Sequence, residues 1–368
     1  MIKLLHGNVF DVLCGMDTHS VDCIVTSPPY WSLRNYNLEP QIWGGNKECD
    51  HQWDKVIQKP KGGKGSKCAN ISANANDFAN MRDHNVESDI CSLCGAWKGN
   101  LGLEPTLEMY INNLCNIFDE CYRVLKDTGT CFIVLGDTYI SSGGPKIHFD
   151  YTDPMHHKGR NINFPEPSAY KQNVKPKSLA MIPSRVGIEL TQRGWILRNK
   201  IIWHKPNAMP CSVKDRFTVD YEEVLFLTKK QKGYFFEKQY EPVKEVSIKR
   251  SKYGLNSKNK NNNVAISINT DKLGTRFVNP EKGRNKRTVW NIPTKGTTLK
   301  HYAAYPDTLI EPMLKAGCPE YGIVLDPFIG IGTTAIVASQ QKKHCIGIDL
   351  SEEYLTYLKN RKELEKCF

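Results

Sequence analysis

The sequence predicts an α/β fold with a mostly parallel sheet, on three observations. Short apolar runs rich in β-branched residues alternate with stretches of helical period. Two of those runs end in turn motifs, Thr26-Ser27-Pro28-Pro29-Tyr30-Trp31 and Asp326-Pro327-Phe328-Ile329-Gly330-Ile331-Gly332-Thr333-Thr334. Two other stretches, 37–100 and 229–290, lack the alternation and read as insertions. Strands separated by helices pair in parallel, and ligands bind beyond their carboxyl ends. The two motifs are therefore expected to face each other across one cleft.

Ile2–Leu5 reads as the first strand, Asp11–Met16 as a short helical turn and Cys23–Thr26 as the second strand. Residues 37–100 are rich in Gly, Lys, Asn and Ser, and have little core of their own. Leu107, Ile111, Leu114, Phe118, Cys121 and Leu125 then recur at helical spacing, with Pro105 near the start where proline is tolerated. Asp127-Thr128-Gly129 is expected to close that helix and Cys131–Leu135 to form the next strand. Residues 141–177 read as loop, 183–192 as helix, and 195–203 and 222–228 as strands. After the second insertion come a helix over 307–316, a strand over 322–325 and a helix from Thr333. A strand over 345–349 and a helix over 352–366 end the pattern. The resulting organisation is 1–36, 101–228 and 299–368 as parts of one domain, interrupted by 37–100 and by a basic segment, 229–298.

A chain of 368 residues suffices for one large domain and a smaller appendage. No run of about 18 apolar residues occurs, and Met1–Gly7 is too short and polar for a signal peptide. A soluble, cytoplasmic protein without a membrane partner is expected. Thirteen cysteines without an export signal argue against a disulfide scaffold. The net charge of +11 is concentrated: Lys229–Lys300 holds 18 Lys and Arg against 5 Asp and Glu, which leaves −2 for the rest. Such a block suits a polyanion, because phosphate contacts release counterions.

The second motif fits a nucleoside-bearing cofactor. Asp326 ends a strand, and Gly330 and Gly332 open a turn into a helix, where a missing Cβ lets backbone approach a ligand. Asp349 ends the following strand, where a carboxylate can accept ribose hydroxyls. A dinucleotide fingerprint would need a third glycine where Ala335 stands, and no phosphate-loop Gly-Lys-Ser/Thr follows. A cofactor without a phosphate chain fits better.

The first motif fits an exocyclic amine. Such a nitrogen is a poor nucleophile because its lone pair is delocalised into the ring. Acceptors placed out of the ring plane would draw it toward a tetrahedral state, and Ser27 Oγ and the Pro28 carbonyl are the natural ones. Pro28 and Pro29 rigidify the loop. Tyr30 offers a ring to stack on an extruded base.

Together the two motifs, catalytic loop first and cofactor loop last, resemble the amino-group DNA methyltransferases of the permuted beta class. The resemblance extends to Trp203-His204-Lys205-Pro206-Asn207, Tyr221-Glu222-Glu223 and His301-Tyr302-Ala303-Ala304-Tyr305-Pro306. It implies a circularly permuted, Rossmann-like methyltransferase fold with S-adenosylmethionine as cofactor. The residues it assigns to that cofactor are Asp326, Pro327, Phe328, Gly330, Gly332, Thr333 and Asp349, together with His301 and Pro306. It assigns catalysis to Ser27, Pro28, Pro29 and Tyr30. Serine at the head of the loop goes mostly with cytosine N4 in this family, and Asp or Asn with adenine N6, so N4 is favoured and N6 is the alternative. One departure is Asn8, where relatives often carry an acidic residue beside the cofactor.

Cys91-Ser92-Leu93-Cys94-Gly95 is a zinc-knuckle turn, Cys49 and His51 could supply two further tetrahedral ligands, and a structural zinc would explain how an insertion with little core folds. Free thiols placed by chance are the other reading. The basic segment offers Lys249, Arg250, Lys252, Arg284, Lys286 and Arg287 for phosphate and base-edge contacts. By position it looks like the family's target-recognition region. Arg34 and Trp31 are further DNA-contact candidates, though Trp31 suits core packing equally. The expected partner is double-stranded DNA, with or without a cognate restriction endonuclease, in a monomer or a homodimer. A basic patch alone fits RNA too. A non-catalytic DNA-binding protein with a vestigial cofactor fold is the alternative from another class, and two intact loops argue against it.

Overall fold

The computed structural model describes residues 1–33, 36, 38–58, 84–140, 174–243, 245, 283–295, 305–365 and 367. Strand β1 (Ile2–His6) lies beside β14 (His344–Asp349), so the two ends of the chain share one sheet. The sheet continues through β13 (Ile323–Asp326), β2 (Val21–Thr26), β7 (Leu125–Leu135), β9 (Tyr221–Thr228), β8 (Ile196–His204) and β12 (Val289–Asn291). Neighbours are parallel except at β7–β9 and β9–β8, which leaves β9 running against the other seven. β13 and β2 are neighbours, with Leu325 opposite Ile24, so both motifs emerge at one edge of the sheet.

Period-two alternation assigns the core to two faces. Along β7, Cys131, Ile133 and Leu135 face one side while Phe132 and Val134 face the other. On the first side pack α1 (Val9–Cys14), α2 (Leu107–Val124) and α3 (Ile182–Gln192), through Leu13, Leu114, Phe118 and Leu190. The opposite side is covered by α4 (Asp307–Gly317), α5 (Thr333–Gln340) and α6 (Glu352–Lys359), through Ile310, Met313, Val337 and Leu358. The result is helices on both faces of a mostly parallel sheet, as expected. Side-chain caps start three helices: Asn8 Oδ1 accepts from Phe10 N, Thr106 Oγ1 from Met109 N and Ser351 Oγ from Tyr354 N.

Several boundaries differ from the sequence reading. β7 begins at Leu125 instead of Cys131, because Leu125 pairs with Val21 beyond a bulge and Lys126 bonds Asp22 at 2.8 Å. Asp127–Gly129 therefore lies within a strand and does not close α2. The last helix stops at Lys359, and a 3₁₀ turn over Lys362–Leu364 buries Leu364.

The first insertion has more structure than expected. It forms its own antiparallel sheet, in the order β3 (Gln41–Trp43), β6 (Trp97–Gly99), β5 (His84–Cys91), β4 (Trp53–Gln58). In the second, β10 (Tyr240–Glu241) pairs with β11 (Arg284–Asn285). β12 then returns to the edge of the main sheet, so residues 289–291 belong to the domain sheet although they fall within 229–298. No helix among the described residues is long and apolar enough to cross a membrane.

Candidate active site

At the carboxyl ends of β1, β14, β13, β2 and β8 lies a cavity of about 750 Å³. Ser27, Pro28, Pro29 and Tyr30 line it on one side; Pro327, Phe328, Gly330, Thr333 and Asp349 line it on the other. The loops thus face each other as expected. The catalytic loop is braced from below: the Tyr110 hydroxyl donates to the Pro29 carbonyl at 2.9 Å, and the Trp31 indole donates to the Glu104 carbonyl at 3.0 Å. Trp31 is 5% exposed, so of its two readings core packing holds and DNA contact does not.

A hydrogen-bonded chain runs along the cavity wall, with Ser27, Tyr30 and Glu222 all lining it. Ser27 Oγ donates to the Tyr30 hydroxyl at 3.2 Å, and that hydroxyl donates to Glu222 Oε2 at 2.8 Å. Glu222 also holds Lys205, whose Nζ sits 4.4 Å over the Trp203 ring. Burial and the Glu222 carboxylate push the Tyr30 phenol well above its ordinary value, so it stays a donor. The ring of Tyr30 presses on Gly136, where an added Cβ would come within 2.5 Å of it. Lys205, Glu222 and Gly136 are functional neighbours to which sequence reading gave no role; their position at strand ends beside the two motifs is the signal that could have found them.

The cofactor side fits an adenosine-sized ligand in cavity volume and in donor set. Asp349 lines the cavity, and its carboxylate is oriented by Gly330 N at 2.9 Å and Ser351 N at 2.8 Å. Each oxygen keeps lone pairs for ribose hydroxyls. Burial raises this carboxyl to about 6, against the pull of those two N–H groups.

Three assigned cofactor residues have other work. Asp326 is fully buried and does not line the cavity; it accepts from Thr26 Oγ1 (2.6 Å), Thr334 Oγ1 (2.6 Å), the Tyr305 hydroxyl (2.9 Å) and Phe328 N (3.1 Å). It pins the two loops to each other instead of contacting a ligand. Gly332 packs on Leu358, and Pro306 is buried at the start of α4. His301 and Arg34 lie outside the described residues. Asn8 serves as the cap of α1 and donates to Gln41 Oε1 at 3.3 Å.

Four of the six cysteine and histidine residues of the first insertion converge. The ligand atoms of Cys49, His51, Cys91 and Cys94 all lie within 4.8 Å of one another. Backbone N–H groups of Asn46 and Ala96 hold the Cys94 thiol below its ordinary value. Burial pushes Cys91 up, but hydrogen bonds from the backbone around Cys94 and from His51 bring it down to about 6. Cys49 is instead pushed up to about 12 by burial and by its neighbours Cys94 and Cys91, so the surroundings favour the thiolate at Cys91 and Cys94 only.

In the second insertion, Arg284 Nε (2.7 Å) and Arg287 Nε (2.6 Å) both bond Glu241 Oε1, and Lys286 Nζ lies 5.0 Å over the Trp290 ring. Lys249, Arg250 and Lys252 lie outside the described residues. The end of the segment reaches the cavity. His204 Nδ1 and Asn291 Oδ1 are 2.8 Å apart, Thr294 N donates to Asn207 Oδ1 at 2.9 Å, and Thr294 and Lys295 line the wall.

A family model described as DNA methylase, that of the N6/N4 methyltransferases, matches residues 21–360. The Type II methyltransferase M.Cfr9I of Citrobacter freundii is 31% identical over 358 residues, covering 97% of this chain and 86% of that protein. M.SmaI of Serratia marcescens is 30% identical over 359 residues, covering 98% and 90%. In fold the chain is similar to PvuII DNA methyltransferase (cytosine-N4-specific), with a TM-score of 0.50 at 13% identity over 99% of this chain and 89% of that one. Matched along nearly its whole length, with both motifs meeting at one cavity, the chain belongs to the S-adenosylmethionine-dependent DNA methylases of the N6/N4 amino-group family.

Proposed function

We propose that this chain methylates the exocyclic N4 of a cytosine turned out of duplex DNA, within a specific sequence. The observation that carries the choice of base is Ser27 at the head of the catalytic loop, where adenine-directed members of the family mostly carry Asp or Asn. Likeness to a fold neighbour described as cytosine-N4-specific agrees with it. Full-length similarity to Type II methyltransferases supports a protective role beside a cognate endonuclease.

S-adenosylmethionine, when bound, supplies an electrophilic methyl group on a sulfonium centre; Asp349, Phe328, Gly330 and Thr333 are the residues placed to hold it. The chain's own part is positional. Ser27 Oγ and the Pro28 carbonyl accept the two amino N–H bonds and draw the nitrogen lone pair out of conjugation. As the nitrogen gains a carbon it must shed one proton. Ser27 donates to Tyr30 and Tyr30 to Glu222, so all the donors in that chain point one way. A proton accepted at Ser27 Oγ is thereby passed toward the Glu222 carboxylate.

Duplex DNA incubated with labelled S-adenosylmethionine and analysed by nucleoside mass spectrometry should yield N4-methylcytosine. N6-methyladenine as the product would move the reading to the other branch of the family. Ser27→Ala and Tyr30→Phe should each lower kcat by about 10²-fold or more while cofactor affinity stays within about twofold. Wild-type turnover in Tyr30→Phe would remove the relay from the mechanism.

A further inference from the structure

The four converging ligands of the first insertion have a geometry that a disulfide cannot explain and a tetrahedral ion can. Cys49 Sγ and Cys91 Sγ are 3.9 Å apart, and Cys94 Sγ is 3.4 Å from His51 Nδ1. A disulfide needs about 2.05 Å. Zinc with bonds of about 2.3 Å to sulfur and about 2.0 Å to nitrogen spaces its ligands by roughly 3.5–3.8 Å at tetrahedral angles. The turn around Cys91 is built for close approach. Gly95 N donates to the Cys91 carbonyl at 2.9 Å with Gly95 at φ +73°, and Cys91 N donates to the Ala96 carbonyl at 2.8 Å. Gly45, at φ +70°, leaves room for the Cys94 sulfur, which an added Cβ would meet at 2.7 Å.

The cluster is also tied to the active-site cavity. β3 runs through Gly44 and Gly45 into the cluster, and β6 leaves it after Ala96; the two strands pair, with Trp43 opposite Trp97. Trp43 Nε1 donates to the Gly99 carbonyl at 2.8 Å. Gln41, Trp43 and Asn100 from these strands and their flank line the cavity, and Gln41 Oε1 receives Asn8 Nδ2 beside the end of β1. Gly7 N in turn donates to the Asp349 carbonyl at 3.1 Å. One wall of the cavity, on its cofactor side, therefore hangs from a small sheet whose described buried apolar side chains are few: Cys91, Ala96 and Trp97.

We propose that Cys49, His51, Cys91 and Cys94 bind one structural Zn²⁺ and that this ion holds the β3–β6 wall of the cavity in place, so that its loss weakens cofactor binding. The ion takes no part in methyl transfer. It adds to the few buried apolar side chains of the insertion's described residues, since metal binding energy becomes folding energy where no site exists in the unfolded chain. The second half of the proposal rests on the reading of the cavity as the S-adenosylmethionine site.

The test uses the full chain. Elemental analysis of purified protein should give about one zinc per chain, and Cys94→Ser should release it. Cobalt exchanged into wild type should show the intense ligand-field bands of a tetrahedral thiolate site, a readout that needs no variant to fold. Calorimetric titration with S-adenosylmethionine should then show at least about tenfold weaker binding after chelation, restored by added zinc. Gln41→Ala should keep its zinc yet weaken cofactor binding by about threefold or more, since it removes the wall contact and not a ligand. Metal-free wild type, or another metal at full occupancy, overturns the site. Zinc present with unchanged cofactor affinity after its removal overturns the coupling. Zinc present in a wild type that never binds the cofactor leaves the metal site standing and refutes the reading of the cavity.

Discussion

Two aspartates at strand ends illustrate how one residue type takes different duties according to burial. Asp326 meets four donors and no solvent, and links β2, the segment leading into α4, and α5 through Thr26, Tyr305 and Thr334. Asp349 meets two backbone donors and the cavity. Its folded-state value of about 6 lies above that of a free aspartate, so for folding alone its charge costs stability as pH rises through about 6. Cofactor binding has the opposite sign, because ribose hydroxyls donate and prefer the ionised carboxylate. Affinity for S-adenosylmethionine should be flat above about pH 7 and fall toward tenfold per unit below about pH 6. Isothermal titration between about pH 5 and 8 reads this directly, and Asp349→Asn should bind weakly with the dependence gone. A pH-independent affinity in the wild type would mean that Asp349 does not face the cofactor.

At the scale of elements, the turn from β13 into α5 shows why a glycine motif has to be read position by position. Gly332 is at φ +82°, and a Cβ there would lie 2.1 Å from Leu358 Cδ2 in α6. Gly330 is at φ +49° with nothing within 4 Å of the same point, so its open side faces the cavity it lines. Gly332→Ala should therefore destabilise by about 3 kcal/mol, combining left-handed strain with overpacking, and Gly330→Ala by about 1 kcal/mol from strain alone. Urea unfolding measures both; equal losses would refute the packing role of Gly332. Sequence pattern located the two motifs, the alternating core and most elements within a few residues, because buried strands and amphipathic helices carry strong periodic signals. It missed the start of β7, where pairing with Val21 and the Lys126–Asp22 bond override a turn-forming triplet. It also missed the sheet of the first insertion, whose strands sit among Gly, Lys and Ser. The chain from Tyr30 through Glu222 to Lys205 was hidden because its members meet only in the fold: Glu222 lies 192 positions from Tyr30.

For the whole molecule the decisive feature is uneven charge. The Lys229–Lys300 segment carries the entire positive excess, and its far end folds back through β12 to place Thr294 and Lys295 in the cavity wall. On the proposed function, a duplex bound by that segment would lie next to the site where its base must enter. Each phosphate neutralised contributes about −0.9 to the slope of log affinity against log salt. DNA binding should weaken steeply with salt, whereas S-adenosylmethionine binding to the same protein should not. Within the segment two arginines share Glu241 and should still differ. The Arg287 side chain is 66% exposed and that of Arg284 34%. Arg284 fixes the β10–β11 pair, while Arg287 keeps donors free for phosphate. Arg287→Ala should lower duplex affinity about threefold at moderate salt, make the salt slope less negative by about 0.9, and leave the unfolding midpoint unchanged. Arg284→Ala should instead lower the midpoint by about 1 kcal/mol equivalent, as a half-buried ion pair is broken. Fluorescence anisotropy across a salt series, paired with denaturation, separates the two. An unaltered slope in Arg287→Ala would place the phosphate contacts elsewhere in the basic segment.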